Sequence, residues 1–482
     1  MNILFVAAES TPYVKVGGLA DVVGTLPGVL NRLGQNVRVV LPHHGLIDDQ
    51  RFGLRPYATL QMDWNGDTTL VEVSSATHNT TTTYFIRGAP FFDPSETFIY
   101  SQDEGIDVGR FLFFAAAVLK LVDYFSKREG WQTDVFHTHD WHTGTLPFLL
   151  TTLYKDDDHL GKAASVFSIH NLRYQGWGVR WHLDRANLPP AAHPLLQSTG
   201  KTDNSLAIGL AYSTTLSTVS PTYAQEITLP DSGDGLDDIL HARSARLTGI
   251  LNGIDEQRWN PATSPHIVAN FDRDTLPNRA RNKLALQAEA GLPRSANTPL
   301  VGTVMRLVEQ KGPSIMFPAV RHLLENSDAQ FILLGAGQPH YESEAQALGR
   351  DFPGRAHIRL SFNETLAERI YAGIDAFLMP SLFDPCGIGQ MFAMRYGALP
   401  IVRHVGGLVD TVPATIGFAF ADFNADALIR VVNRALDIYT NAASEWRSRQ
   451  QQAMQLSFDW QRSASQYIKL YQSAVKLHAS YR

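Results

Sequence analysis

Short apolar runs recur along the chain, at Ile3–Ala8, Val37–Leu41, Val135–His137, Val166–Ile169, Leu216–Val219, Leu300–Val304, Phe331–Leu334 and Ala376–Met379. They lack the in/out alternation of a half-exposed strand, as strands covered on both faces do. Segments with helical spacing lie between them, such as Phe111–Phe125 and Leu366–Ala372. Strand, helix, strand in this order predicts a doubly wound parallel sheet. The pattern runs twice. After Thr248 the stretch GILNGIDEQRWNPATSP is rich in turn formers, and a new apolar strand begins only at Leu300, which reads as a hinge between two α/β domains. From Ser463 onward, Tyr467, Ile468, Tyr471, Ala474 and Val475 fall near one helical face and predict a closing helix. Open α/β sheets offer ligand sites at the carboxyl ends of their strands, and two such domains facing each other would form a cleft.

Composition narrows the function classes. At ~150 residues per domain, 482 residues allow three units or two large ones. A hydrophobic share of 44% excludes global disorder. The formal charge is 41 − 47 = −6, and the scattered Lys and Arg lack the basic patch of a nucleic-acid binder. The single cysteine, Cys386, supports neither an intrachain disulfide nor a thiolate metal cluster and suits a reducing compartment. The opening MNILFVAAES has no basic start or small-residue cleavage site, and no apolar run reaches the ~18 residues of a membrane span. A cytoplasmic protein without a membrane partner is expected.

Several motifs invite chemistry. The first strand leads into Lys15, Gly17, Gly18 and Asp21 before a helical stretch. Paired glycines there let a backbone approach a phosphate with free N–H groups, although a plain tight connection reads equally well. In His137-Thr138-His139-Asp140-Trp141-His142 the metal spacing fails, because Trp141 stands where an Asp is needed. Polar residues at a strand tip, with Asp140 or His142 facing the cleft, are expected instead. Asp272-Arg273-Asp274 lacks a preceding strand and reads as a solvated loop. Gly200-Lys201-Thr202 lacks the first glycine of a phosphate loop, and Gly335-Ala336-Gly337 lacks the third glycine of a dinucleotide fingerprint. The second half is richer. Arg306 and Lys311 leave one strand end together and suit a diphosphate, and Asp384 precedes Cys386, Gly387 and a helix over Met391–Tyr396 whose free amides could grip sugar hydroxyls.

These residues sit in VKVGGLADVVGTLP, HDWHTG, SIHNLRYQG, TVSPTYAQEI, GILNGIDEQRWNPATSP, MRLVEQKG, DPCGIGQMFAMRYGALPIVRHVGGLVDTV and FDWQRSASQY. By this ordered series, over nearly its whole length, the chain resembles the bacterial glycogen synthases and plant starch synthases. The resemblance implies a GT-B fold: two Rossmann-like doubly wound parallel-sheet domains facing across a cleft, 1–248 on the acceptor side and 249–460 on the donor side, with 461–482 returning as a helix onto the first. It implies transfer of glucose from ADP-glucose to the non-reducing end of an α-1,4-glucan with retention, and no metal or covalent cofactor. It places Lys15, Gly17 and Gly18 at the donor diphosphate with Asp21 in the same loop, and Arg306 and Lys311 against the departing ADP. Asp140, His170 and Asn252 fall around the sugar and reacting centre, and Phe362 on the adenine. Asp384, with Cys386, Gly387 and Ile388, clamps the glucose hydroxyls. Three positions depart from the family pattern: Asp384 stands for a Glu, Ala207 for a Lys, and Met305 for a small residue. They keep open a second reading, a catalytically weak glucan- or nucleotide-binding homologue.

Overall fold

The computed structural model describes residues 1–481 and resolves into two compact units, Met1–Leu251 with the chain from Trp460 onward, and Asn252–Asp459. In sequence the hinge was placed after residue 248; the first unit runs on to Leu251 because Ile250 is buried in its core.

The first unit is built on strands β1 (Asn2–Val6), β2 (Asn36–Pro42), β3 (Arg55–Trp64), β4 (Asp67–His78), β5 (Thr81–Gly88), β6 (Val135–His139), β7 (Ala164–Ile169), β8 (Thr215–Thr218) and β9 (Leu247–Gly249), in the order β3-β4-β5-β2-β1-β6-β7-β8-β9. From β5 to β9 every pairing is parallel. The expected wholly parallel sheet needs correction at one edge, where β3, β4 and β5 pair antiparallel. These strands were invisible to a search for unbroken apolar runs because they alternate: Val71 and Val73 are buried and Glu72 between them is exposed. Asn65-Gly66 (φ 56° and 86°) and Asn79-Thr80 (φ 44° and 69°) close the two hairpins with two positive-φ residues each, the turn that matches strand twist.

Both faces of this sheet are covered. The helix Glu104–Glu129 starts where Asp103 accepts the Gly105 N–H at 2.9 Å and stops at Gly130, whose φ is 65°. It buries Phe111, Phe113, Phe114 and Phe125, and Arg110 is buried among them only because Asp107 and Glu96 pair with it at 2.6 and 2.7 Å. The terminal helix Trp460–Ser480 buries Trp460, Ala464, Tyr467, Tyr471 and Ala474 in the core that contains Ile3, Phe5 and Val22.

The second unit carries β10 (Leu300–Val304), β11 (Gln330–Leu334), β12 (Ala356–Arg359), β13 (Ala376–Met379), β14 (Leu399–Arg403) and β15 (Phe418–Phe420), all parallel, in the order β12-β11-β10-β13-β14-β15. The order reverses direction between β10 and β13, and in the first unit between β1 and β6. At such a switch point neighbouring loops part to opposite faces and leave a crevice at the strand ends.

Replacing Tyr471 by Ala removes a fully buried ring and its 2.8 Å hydrogen bond to His137 Nδ1. Denaturant unfolding should show a loss of about 3–5 kcal/mol. A loss under about 1 kcal/mol would mean that the helix does not hold this sheet face.

Candidate active site

In the first unit the loop after β1 rises from Glu9. The carboxylate is buried and accepts the N–H groups of Val16 and Gly17, the latter at 3.1 Å. The expectation of free glycine-loop amides is therefore corrected: two of them already hold an anion supplied by the chain. Lys15 reaches Asp21 at 2.6 Å, with both side chains well exposed. Gly18 opens the helix Gly18–Arg32, and a Cβ there would meet nothing within 4 Å.

The end of β6 delivers His137 and His139, whose rings lie 4.1 Å apart in the interior. His137 Nε2 meets Ser168 Oγ at 2.6 Å, and His139 Nδ1 meets His170 Nε2 at 3.0 Å. Burial keeps both strand histidines well below the ordinary imidazole range and brings His170 down to about 4. Asp140 follows with φ 55° and ψ −177°, a conformation costly for a residue with a Cβ. Its Oδ1 accepts the His170 N–H at 2.7 Å, and burial pushes its carboxyl up to about 7. Neither Asp140 nor His142 projects from the strand tip as expected. Both are buried, and the His142 ring stacks on Tyr100 at 4.9 Å.

In the second unit β10 and β13 carry the charged groups. Arg306 is exposed and makes no ion pair among the described residues. Lys311 ends the turn Glu309–Lys311, and Gly312 follows with φ 74°; a Cβ there would lie 2.1 Å from the Pro380 carbonyl, so this turn must pack directly on the strand end of β13. The Leu382 N–H donates to the Gln310 carbonyl at 2.9 Å and knits the two loops together. Across that seam Lys311 Nζ meets Asp384 Oδ2 at 2.6 Å, and the Ser381 hydroxyl donates to the same oxygen at 3.0 Å. Asp384 is thus an anchored carboxylate rather than a free one, with Oδ1 left for other contacts. Cys386 is buried, which pushes its thiol up to about 12. Gln390 Nε2 donates to the Cys386 and Gly387 carbonyls at 3.2 and 3.0 Å and fixes this loop, and Ile388 caps the helix Gly389–Arg395. Asn252 is buried with Oδ1 unpartnered among the described residues, and Phe362 is 87% exposed.

The remaining motifs carry no site. Gly335 and Gly337 lie where a Cβ would come within 2.0 and 2.2 Å of the Met305 and Leu307 carbonyls, so they serve close backbone packing. Gly200 ends the helix Pro194–Thr199, and Asp272 folds onto its own loop through Thr275. Ala207 is fully buried, so it adds no polar group to a surface. Among the described residues no group of three or more His, Cys, Asp or Glu could hold a metal, and no helix is long and apolar enough to cross a membrane.

Residues 2–242 match the family model of the starch synthase catalytic domain, and residues 288–453 that of glycosyl transferases group 1. The chain is 40% identical to a glycogen synthase of Anaeromyxobacter sp., across 98% of this chain and 99% of that one. It is 39% identical to glycogen synthase 1 of Synechocystis sp., across 98% and 95% of the two chains. The chain belongs to the glycogen and starch synthase family. The catalytic domain of starch synthase IV from Arabidopsis thaliana, solved bound to ADP and acarbose, superposes with a TM-score of 0.89 at 33% identity, covering 98% of this chain and 99% of that one. A sucrose-phosphate synthase from Thermosynechococcus elongatus, at 16% identity and TM-score 0.62, shares the fold. The architecture is GT-B, and the chain is a glucosyltransferase.

For a glycogen and starch synthase family member, the arrangement offers an exposed Arg306 and an anchored Lys311 at one strand edge and neutral imidazoles with a protonatable carboxyl at another. Motif reading assigned no role to Glu9 or Ser381. Glu9 was marked only by its place in AAES after the first apolar run, and Ser381 only by standing three residues before Asp384.

The buried histidines also set an acid limit. Their folded-state values lie below the ordinary 6.5, so the stability they contribute is full above that pH and is lost as pH falls toward about 4. Asp140 opposes this, since its raised carboxyl favours the acid side. Subtracting the melting curves of His170→Gln from those of the native chain isolates the histidine, and the native chain should lose more melting temperature between pH 7 and pH 4.5. Parallel curves would mean that His170 binds its proton equally in the folded and unfolded chain, and that burial does not hold it neutral.

Proposed function

We propose that this chain transfers glucose from ADP-glucose to the non-reducing end of an α-1,4-glucan, retaining the anomeric configuration and using no metal. The observation that carries the reading is the pairing of Lys311 with Asp384 beside Arg306 at the switch point of the second sheet. The bond between the glucose anomeric carbon and the diphosphate breaks, negative charge grows on the diphosphate, and the ring turns cationic. Arg306 and Lys311 meet the leaving charge, Phe362 stacks on the adenine, and Asp384 Oδ1 with the Cys386, Gly387 and Ile388 segment and Asn252 receives the glucose hydroxyls. The acceptor hydroxyl attacks from the face the diphosphate leaves, and its proton passes to a departing phosphate oxygen. Lys15 and Gly18 serve the donor phosphates, and Asp140 and His170 serve the sugar at the reacting centre. Preorganised charges of this kind are each worth about 3 kcal/mol of barrier in a dry site.

Release of ADP from ADP-glucose, measured with and without glycogen, tests the reading. Release should require glycogen, persist in EDTA and exceed that of UDP from UDP-glucose in kcat/KM. Arg306→Ala and Lys311→Ala should each lower kcat on the order of 10² with unchanged circular dichroism. An EDTA-dead enzyme rescued by Mn²⁺, equal use of UDP-glucose, or losses below about threefold would contradict it.

A further inference from the structure

The loop after β1 bears two carboxylates, and they hold different groups. Glu9 lies in the interior and takes two backbone N–H groups, from Val16 and Gly17. Asp21 lies outside and takes the Lys15 ammonium with both oxygens, at 2.6 and 2.7 Å. Together they fill the two kinds of donor that a phosphate would use here. An incoming anion can displace only one of them at little cost. The Lys15–Asp21 pair is solvent-exposed, 43% and 34%, where such pairs are weak. Removing Glu9 from its amides would leave a buried carboxylate with only the Tyr100 side chain as a hydrogen-bond partner and leave two N–H groups to be satisfied anew.

We infer that Glu9 is the positioning residue of this loop: it fills the Val16 and Gly17 amides and thereby leaves Lys15 and the Gly18 N–H as the groups that meet an anionic donor. This rests on the donor reading above and deepens it. Gly18 fits the role, since it is the first residue of its helix, where the N–H has no intrahelical acceptor, and the space around it is open. Asp21 is then the placeholder that the donor phosphate replaces at Lys15.

The test is Glu9→Gln in the full chain, which keeps the side-chain shape but removes the charge that the Val16 and Gly17 amides share at Oε2 and replaces one carboxylate oxygen by an NH₂ group. KM for ADP-glucose and the dissociation constant of ADP measured by calorimetry should rise tenfold or more, while KM for glycogen stays within twofold. Glu9→Asp, which keeps the charge but withdraws it, should fall between native and Gln. A Gln variant whose donor KM is unchanged overturns the inference. So does one whose donor KM falls, since Glu9 would then be a competitor for the amides. Should neither variant fold, Glu9 is a framework residue and the inference is wrong. A native chain that releases no ADP from ADP-glucose sinks the donor reading and this inference with it, whereas an active native chain with an indifferent Gln variant sinks this inference alone.

Discussion

Parallel pairing is the constraint on which the rest of this molecule depends. When neighbouring strands run the same way, every strand-to-loop junction falls on one edge of the sheet, and each chain return must pass through a helix on a face. The order then decides where the junctions open. In the first unit the reversal lies between β1 and β6, which end in the Glu9 loop and in His139 and Asp140. In the second it lies between β10 and β13, which are followed by Arg306 and Lys311 and by Asp384. The residues that sequence motifs single out for chemistry cluster at the two places where topology leaves a crevice.

Electrostatics then sorts these residues by burial. The Lys15–Asp21 pair faces water and holds its partners loosely, at about 0.2–1 kcal/mol for pairs of this kind. The Lys311–Asp384 pair is withdrawn, with the lysine 17% and the aspartate 3% exposed, so losing one partner would strand the other charge at a cost of about 3–5 kcal/mol. Ser381 adds a third anchor to the same oxygen. Asp384 reaches the lysine where Gly312 lets the Lys311 turn sit directly against Pro380. In the first unit desolvation acts in the opposite sense and keeps His137, His139 and His170 neutral, while Asp140 is driven toward the protonated form.

Much of the fold was legible because buried parallel strands announce themselves as apolar runs. Leu300–Val304 and Ala376–Met379 coincide with β10 and β13 to the residue. What escaped was written in other periods. Strands β3 and β4 alternate and were marked by Asn65-Gly66 rather than by a run, and β14 is interrupted by Pro400. For the site, charged residues following a strand were readable, and Arg306, Lys311 and Asp384 were found that way. Their pairing was not, since Lys311 and Asp384 lie far apart in sequence and meet only through the register of β10 against β13. Glu9 escaped because a carboxylate folded back on amides of its own loop has no spacing signature. His142 was misplaced because a histidine in a polar motif gives no sign that Tyr100 and Phe111 will enclose it.

The account stands on Lys311 and Asp384 working as one unit at the second switch point. A double-mutant cycle on kcat/KM for ADP-glucose, with Lys311→Ala, Asp384→Ala and the pair, measures that directly. The account predicts that the second substitution costs far less once the first is made, a coupling well above 0.5 kcal/mol. Losses that add to within about 0.5 kcal/mol would show two independent residues and contradict it.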